Sequence, residues 1–250
     1  METHAQDLHK APGHGLKHYF FEFFMLFLAV FFGFLAENLR ENIINQEKEK
    51  HYVESLLADL KKDTTDLAES YRAQFFLISK MTKVLGLPVE ALRQPAIQDS
   101  LYQSLAPVYS EFWIFIPTNN TMTQLKNAGG FGVFNDEKII DSINDLDFYY
   151  ESYVKMNSEY YSKSYEKTVD IAEQVIKLPD ATLPFYDTIV PAVASSGKVL
   201  IQYSTILLEE LYTSIRFQRG QLSACVGFEK QYEEKARNLI SLLQREYHIK

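Results

Sequence analysis

A carboxylate-bridged di-iron centre in a helical protein needs Glu-x-x-His pairs, because one helical turn must present an oxygen and a nitrogen ligand together. No glutamate in this chain is followed three residues later by a histidine. Asp141, Asp145 and Asp147 lie close in sequence. However, 141 and 145 share a helical face that 147 does not, and no calcium-loop spacing surrounds them, so they read as a solvated helix face. His4, His9, His14 and His18 crowd the amino-terminal tail at spacings that match no zinc cage. Cys225 is the single cysteine, with no histidine near it and an apolar helical context, which predicts a buried inert thiol and rules out an intrachain disulfide. Gly129 and Gly130 precede a helix as a phosphate loop would, yet the Lys-Ser/Thr pair is missing and no strand is predicted before them.

Tyr149, Tyr153, Met156 and Tyr160 recur at steps of four, three and four, which places them on one side of a helix. Tyrosines at this spacing predict amphipathic core and rim; the alternative is a lining of Tyr149, Tyr153 and Tyr160 around a small apolar molecule. No residue set fixes a reaction. The chain is therefore expected to be no enzyme, with no catalytic residue, no metal and no cofactor, and to act by binding a protein or ligand. The alternative expectation is a receptor or enzyme with its site between bundle helices.

The elements that would carry such a surface begin with residues 19–36, YFFEFFMLFLAVFFGFLA, the only long apolar run. Eighteen residues at about 1.5 Å each span about 27 Å, close to the ~30 Å hydrocarbon thickness of a bilayer. The run ends Gly-Phe-Leu-Ala-Glu, without the small-x-small pattern of a signal cleavage site, so an uncleaved anchor is expected. Lys17 borders the run and its carboxyl-side exit is acidic, which puts the short tail in the cytoplasm and the large domain outside. Within the span Glu22 lies in the first turn, where it can reach headgroup water. Ala29 and Gly33 form a small-xxx-small pair that would let two such helices approach closely. Glu22, Ala29 and Gly33 are the candidate transmembrane contacts.

No proline or glycine interrupts the chain between Gly33 and Gly86, so the anchor is expected to run on as a charged stalk over 37–55. Leu57, Leu60, Thr64, Leu67, Tyr71, Ile78, Met81 and Leu85 then recur at helical steps, with Gln74 or Phe75 filling the gap, as in a coiled-coil or bundle seam. Prolines 88, 95 and 107 break the segment up to Pro117 into a short helix and a connector, whose run Phe112–Ile116 is expected to fill the core. A short helix ending at a left-handed Gly129-Gly130 stop follows, then a helix capped by Asn135 and running to about Lys177. Pro179, Pro184 and Pro191 mark a connector, and a last helix is expected from about Val199 to Tyr247, with Gly220 and Gly227 as possible bends. The fold class expected is all-α: an amino-terminal transmembrane helix continuous with a long stalk helix, followed by an antiparallel helical bundle. The domains are 1–18 tail, 19–36 transmembrane helix, 37–55 stalk and 56–250 bundle.

A net charge of −8, with acids interspersed among the bases, excludes a nucleic-acid partner. The partners expected are the lipid bilayer and a second protein or further copies of this chain. FFMLFLAVFFGFLAENLRE running into EKEKHYVESLLADLKKDT, together with TNNTMTQLKNAGGFGVFNDEKIIDSI, resembles a group of uncharacterised single-pass membrane proteins of Bacteroidota. The resemblance implies a bacterial inner-membrane anchor with a helical periplasmic domain and carries over no catalytic residue.

Overall fold

The computed structural model describes residues 16–127, 129–177 and 199–249. His4, His9, His14 and the Pro179–Pro191 connector lie outside the described residues. The first helix, α1, is Leu16–Leu85, an unbroken 70 residues, as the absence of proline in it permits. It ends where Gly86 closes its N–H onto Thr82 O at 3.1 Å. The chain divides into two compact units, 1–51 and 52–250.

In the first unit α1 holds the apolar window, and α1 is a helix long and apolar enough to cross a membrane. None of that window is covered by protein, unlike the core helix of a water-soluble domain. Glu22, Ala29 and Gly33 are all exposed there, seven and four residues apart on one helical face. A Cβ placed on Gly33 would meet nothing within 4 Å.

The second unit is a helical bundle. Its α6, Thr205–Tyr247, starts at an N-cap in which Ser204 Oγ accepts from Leu207 N–H. It runs through Gly220 and Gly227 as one 43-residue helix, and begins later than Val199 because Val199 and Leu200 are otherwise engaged. Leu200 pairs with Ile176 in an isolated antiparallel bridge, tied by Lys177 N–H to Val199 O and Ile201 N–H to Val175 O, both 2.8 Å. Contacts of Asp63 with Tyr232, Gln74 with Glu229 and Thr82 with Arg219 show that α6 runs antiparallel to the 52–85 part of α1.

The helix expected from Asp136 to about Lys177 is interrupted. It comprises α4, Glu137–Tyr149, a π-helical turn Tyr150–Val154, and α5, Lys155–Val175. Its cap is Asp136, whose carboxylate accepts from Lys138 N–H at 2.9 Å, and not Asn135. The π turn inserts one extra residue into the helical count. Tyr149 and Val154, five apart, consequently both face the core. Tyr153, Met156 and Tyr160 face outward at 40%, 42% and 51% exposure. The expected single face of Tyr149, Tyr153, Met156 and Tyr160 is thus split, because its spacing assumed a helix without the insertion.

The return path between α1 and α4 starts with a 3₁₀ turn, Val89–Arg93, and α2, Pro95–Ser110. A stretch without regular structure, 111–119, leads to α3, Asn120–Asn127. Gly129 stands in the left-handed region at φ 64°, as its place after a short helix predicts. Gly130 is tighter: a Cβ there would lie 2.9 Å from Leu125 Cδ2 and 3.0 Å from Leu125 Cα. Gly130→Ala is therefore expected to cost about 1–3 kcal/mol, read as a lower denaturation midpoint; an unchanged midpoint would contradict the close packing.

The core consists of two apolar clusters. One gathers Leu77, Met81, Leu105, Tyr161, Leu208 and Ile215, among others. The other gathers Leu57, Leu67, Phe115, Ile143, Val154 and Tyr232, among others. Between Leu67 and Leu77 on α1, between Val154 and Tyr161 around α5, and between Val226 and Tyr232 on α6, the buried side chains are polar: Ser70, Gln74, Ser158 and Glu229.

Candidate functional site

The segment 111–119 is the reason buried acids exist in this bundle. It passes from Phe112, stacked 5.2 Å from Tyr161, to Thr118 beside Asp63, and it belongs to neither a helix nor a sheet. Its backbone N–H groups therefore need acceptors from elsewhere. Phe115 N–H lies against Glu229, and Thr118 N–H donates to Asp63 Oδ1 at 2.7 Å. Just beyond, Thr121 N–H in the first turn of α3 donates to Asp59 Oδ2 at 3.1 Å. Carboxylates from α1 thus replace part of the ladder that the segment lacks, and Glu229 of α6 lies beside it.

Asp63 is 1% exposed and also accepts from the Tyr232 hydroxyl at 3.2 Å. Burial pushes its carboxyl above the ordinary range, and the donors Thr118 and Tyr232 pull it part of the way back. The Tyr232 ring packs 5.3 Å from Phe115 and 6.1 Å from Tyr150. Asp59, Asp63, Asp147, Thr118, Tyr150 and Tyr232 line a pocket of about 20 Å³, room for a single water-sized molecule. Asp147 is engaged by Lys126 Nζ at 2.6 Å, and Asp145 by Lys235 Nζ at 2.6 Å. The expected solvated face of Asp141, Asp145 and Asp147 is thus in part a set of interelement ion pairs. Among the described residues no three of His, Cys, Asp and Glu are placed to share a metal ion.

The polar layer is drier. Glu229 is fully buried, and Gln74 Nε2 donates to its Oε1 at 2.9 Å. Burial pushes this carboxyl up to about 7, against smaller opposing contributions from Gln74, the Phe115 backbone and Ser70. Above it, the Cys225 thiol is pushed up to about 12, chiefly by burial and next by the Glu229 charge, which keeps it a thiol at neutral pH. Tyr161 is wholly buried and faces the Gln218 side chain, yet neither the hydroxyl nor the amide forms a hydrogen bond.

Sequence reasoning placed Gln74 or Phe75 in the α1 seam; Gln74 is buried, while Phe75 is 49% exposed beneath Lys230. Glu229 and Asp63 were missed. The signal for Glu229 was present, since it stands four residues after Cys225 and three before Tyr232, on the buried face of α6. Tyr149, Tyr153 and Tyr160 do not surround a cavity: Tyr149 donates to Gln231 at 2.9 Å, Tyr153 stacks on Phe228, and Tyr160 is exposed. Comparison with protein-family models, curated proteins and solved structures finds no match for this chain.

Proposed function

We propose that this chain is a single-pass protein of a bacterial inner membrane, related to the Bacteroidota group it resembles, whose helical unit stands in the periplasm. There it acts as a scaffold or sensor by binding a partner protein or further copies of itself, without catalysing a reaction. The observation that carries the reading is the uncovered apolar window of α1, an 18-residue stretch of mean hydropathy 2.1 for which a bilayer is the natural solvent. Two features support a binding role. The pocket lined by Asp59, Asp63 and Tyr232 has room for only about 20 Å³, and its acids are engaged with backbone and side-chain donors.

The full chain is expected to stay with membranes through an alkaline carbonate wash, and a variant lacking residues 1–36 to be released. Protease added outside spheroplasts is expected to digest the domain and spare the tail. Full-length protein in the soluble fraction would end the anchored reading, and a protected domain would reverse its orientation. Cross-linking in intact cells tests the binding role: an adduct larger than one chain is expected, and a chain that remains monomeric would remove it.

A further inference from the structure

The bond from Gln74 Nε2 to Glu229 Oε1 leaves one buried acceptor on each partner without a donor: Gln74 Oε1 and Glu229 Oε2. A buried acceptor without a donor is costly, and both residues are 0% exposed. A carboxylic acid and a primary amide can close a two-bond ring, in which the amide N–H donates to one carboxyl oxygen and the acid O–H donates to the amide oxygen. A single proton on Glu229 Oε2 would let both leftover acceptors share one hydrogen bond.

We propose that the Ser70, Gln74 and Glu229 layer is a proton-binding site, in which a neutral Glu229 is joined to Gln74 by an acid–amide ring. Ser70 Oγ, buried beside the same carboxyl and without a partner of its own, is the donor available once the proton leaves. The groups facing the site come from every packed element. They are Ser70, Gln74 and Tyr71 from α1, Cys225 from α6, the Phe115 N–H from the connector, and Tyr161 from α5 behind Cys225. Tyr71 gives its hydroxyl to Glu233 at 3.0 Å, and Cys225 remains a thiol, so neither adds charge at neutral pH. No lysine, arginine or histidine is among the groups that lower the Glu229 pKa, so nothing cationic offsets a carboxylate between the two apolar clusters. The proton leaves near neutrality, with burial as the chief cause. Its loss places a charge where Phe115 N–H docks, which makes the seating of segment 111–119 dependent on pH.

The test is infrared difference spectroscopy of the full chain in lipid vesicles, titrated from about pH 5 to about pH 9, with the glutamate side-chain carboxyls carrying ¹³C. A protonated-acid carbonyl band that moves with the glutamate label, and so does not arise from Asp63, is expected at the acid end and is expected to vanish near neutral pH. It should be absent in Glu229→Gln and shifted in Gln74→Met, which cannot accept the acid proton. A labelled wild-type chain without that band would overturn the proposal, as would a band that survives in Glu229→Gln. A band unmoved in Gln74→Met would overturn the ring. Should Glu229→Gln fail to fold, Glu229→Asp takes its place: its acid band is expected to leave the glutamate label, and a labelled band that stays would overturn the assignment to Glu229 over Glu22 and Glu111.

Discussion

Tyr232→Ala is expected to lower the stability of the bundle by about 3–5 kcal/mol, and Tyr232→Phe by only about 1 kcal/mol. The ring is the joint between the connector and the helices, packed between Phe115 at 5.3 Å and Tyr150 at 6.1 Å with 4% of the residue exposed. Truncation to alanine deletes both contacts and leaves a void that the π turn and the connector cannot close. It also takes a donor from Asp63, a carboxyl that burial already pushes upward. Phenylalanine keeps the packing and loses only the 3.2 Å hydrogen bond. Denaturant unfolding of the two variants measures the difference, with the slope expected to stay at the wild-type value. Equal midpoints for Tyr232→Ala and wild type would show that the connector is seated by something else.

The second large effect is on pH dependence. Glu229 has an ordinary value of 4.5 and sits at about 7 in the fold. Between those values the native state binds more protons than the unfolded chain, so stability is full below about pH 4.5 and declines as pH rises through about 7. A shift of this size corresponds to about 3 kcal/mol at mildly alkaline pH. Asp63 is displaced in the same direction and adds to the decline. Glu229→Gln keeps the shape and cannot ionise, so most of the slope should disappear and the variant should be the more stable chain at about pH 8. Urea unfolding of both chains at about pH 5 and about pH 8 measures this. A wild-type midpoint that does not change between the two would contradict a buried ionisable Glu229.

The architecture was legible where periodicity is local. The unbroken α1, the Leu57–Leu85 seam, the stop at Gly129 and the long α6 follow from apolar spacing and the placement of proline and glycine. What was not legible depends on the chain meeting itself. Asp59 and Asp63 look in sequence like surface acids of a helix, and they become acceptors only because segment 111–119 arrives with unpaired N–H groups. Glu229 looks like an ordinary helix former; its significance comes from Gln74, 155 residues away in the chain. The π turn is invisible to a periodicity search because 3.6-residue spacing is assumed on both sides of it, and so the spacing did not show that Tyr149 is core while Tyr153, Met156 and Tyr160 are rim.

That same turn bears on how distant chains should be compared. Helical phase before Tyr150 and after Val154 is counted from different origins, offset by one residue. An alignment that carries the helical phase of α4 into α5 without a gap would set the 21 residues of α5 one position, about 100°, out of phase. Relatives that lack the insertion would share the architecture with one residue fewer, and an indel placed between 150 and 154 is where their kinship to this chain would surface.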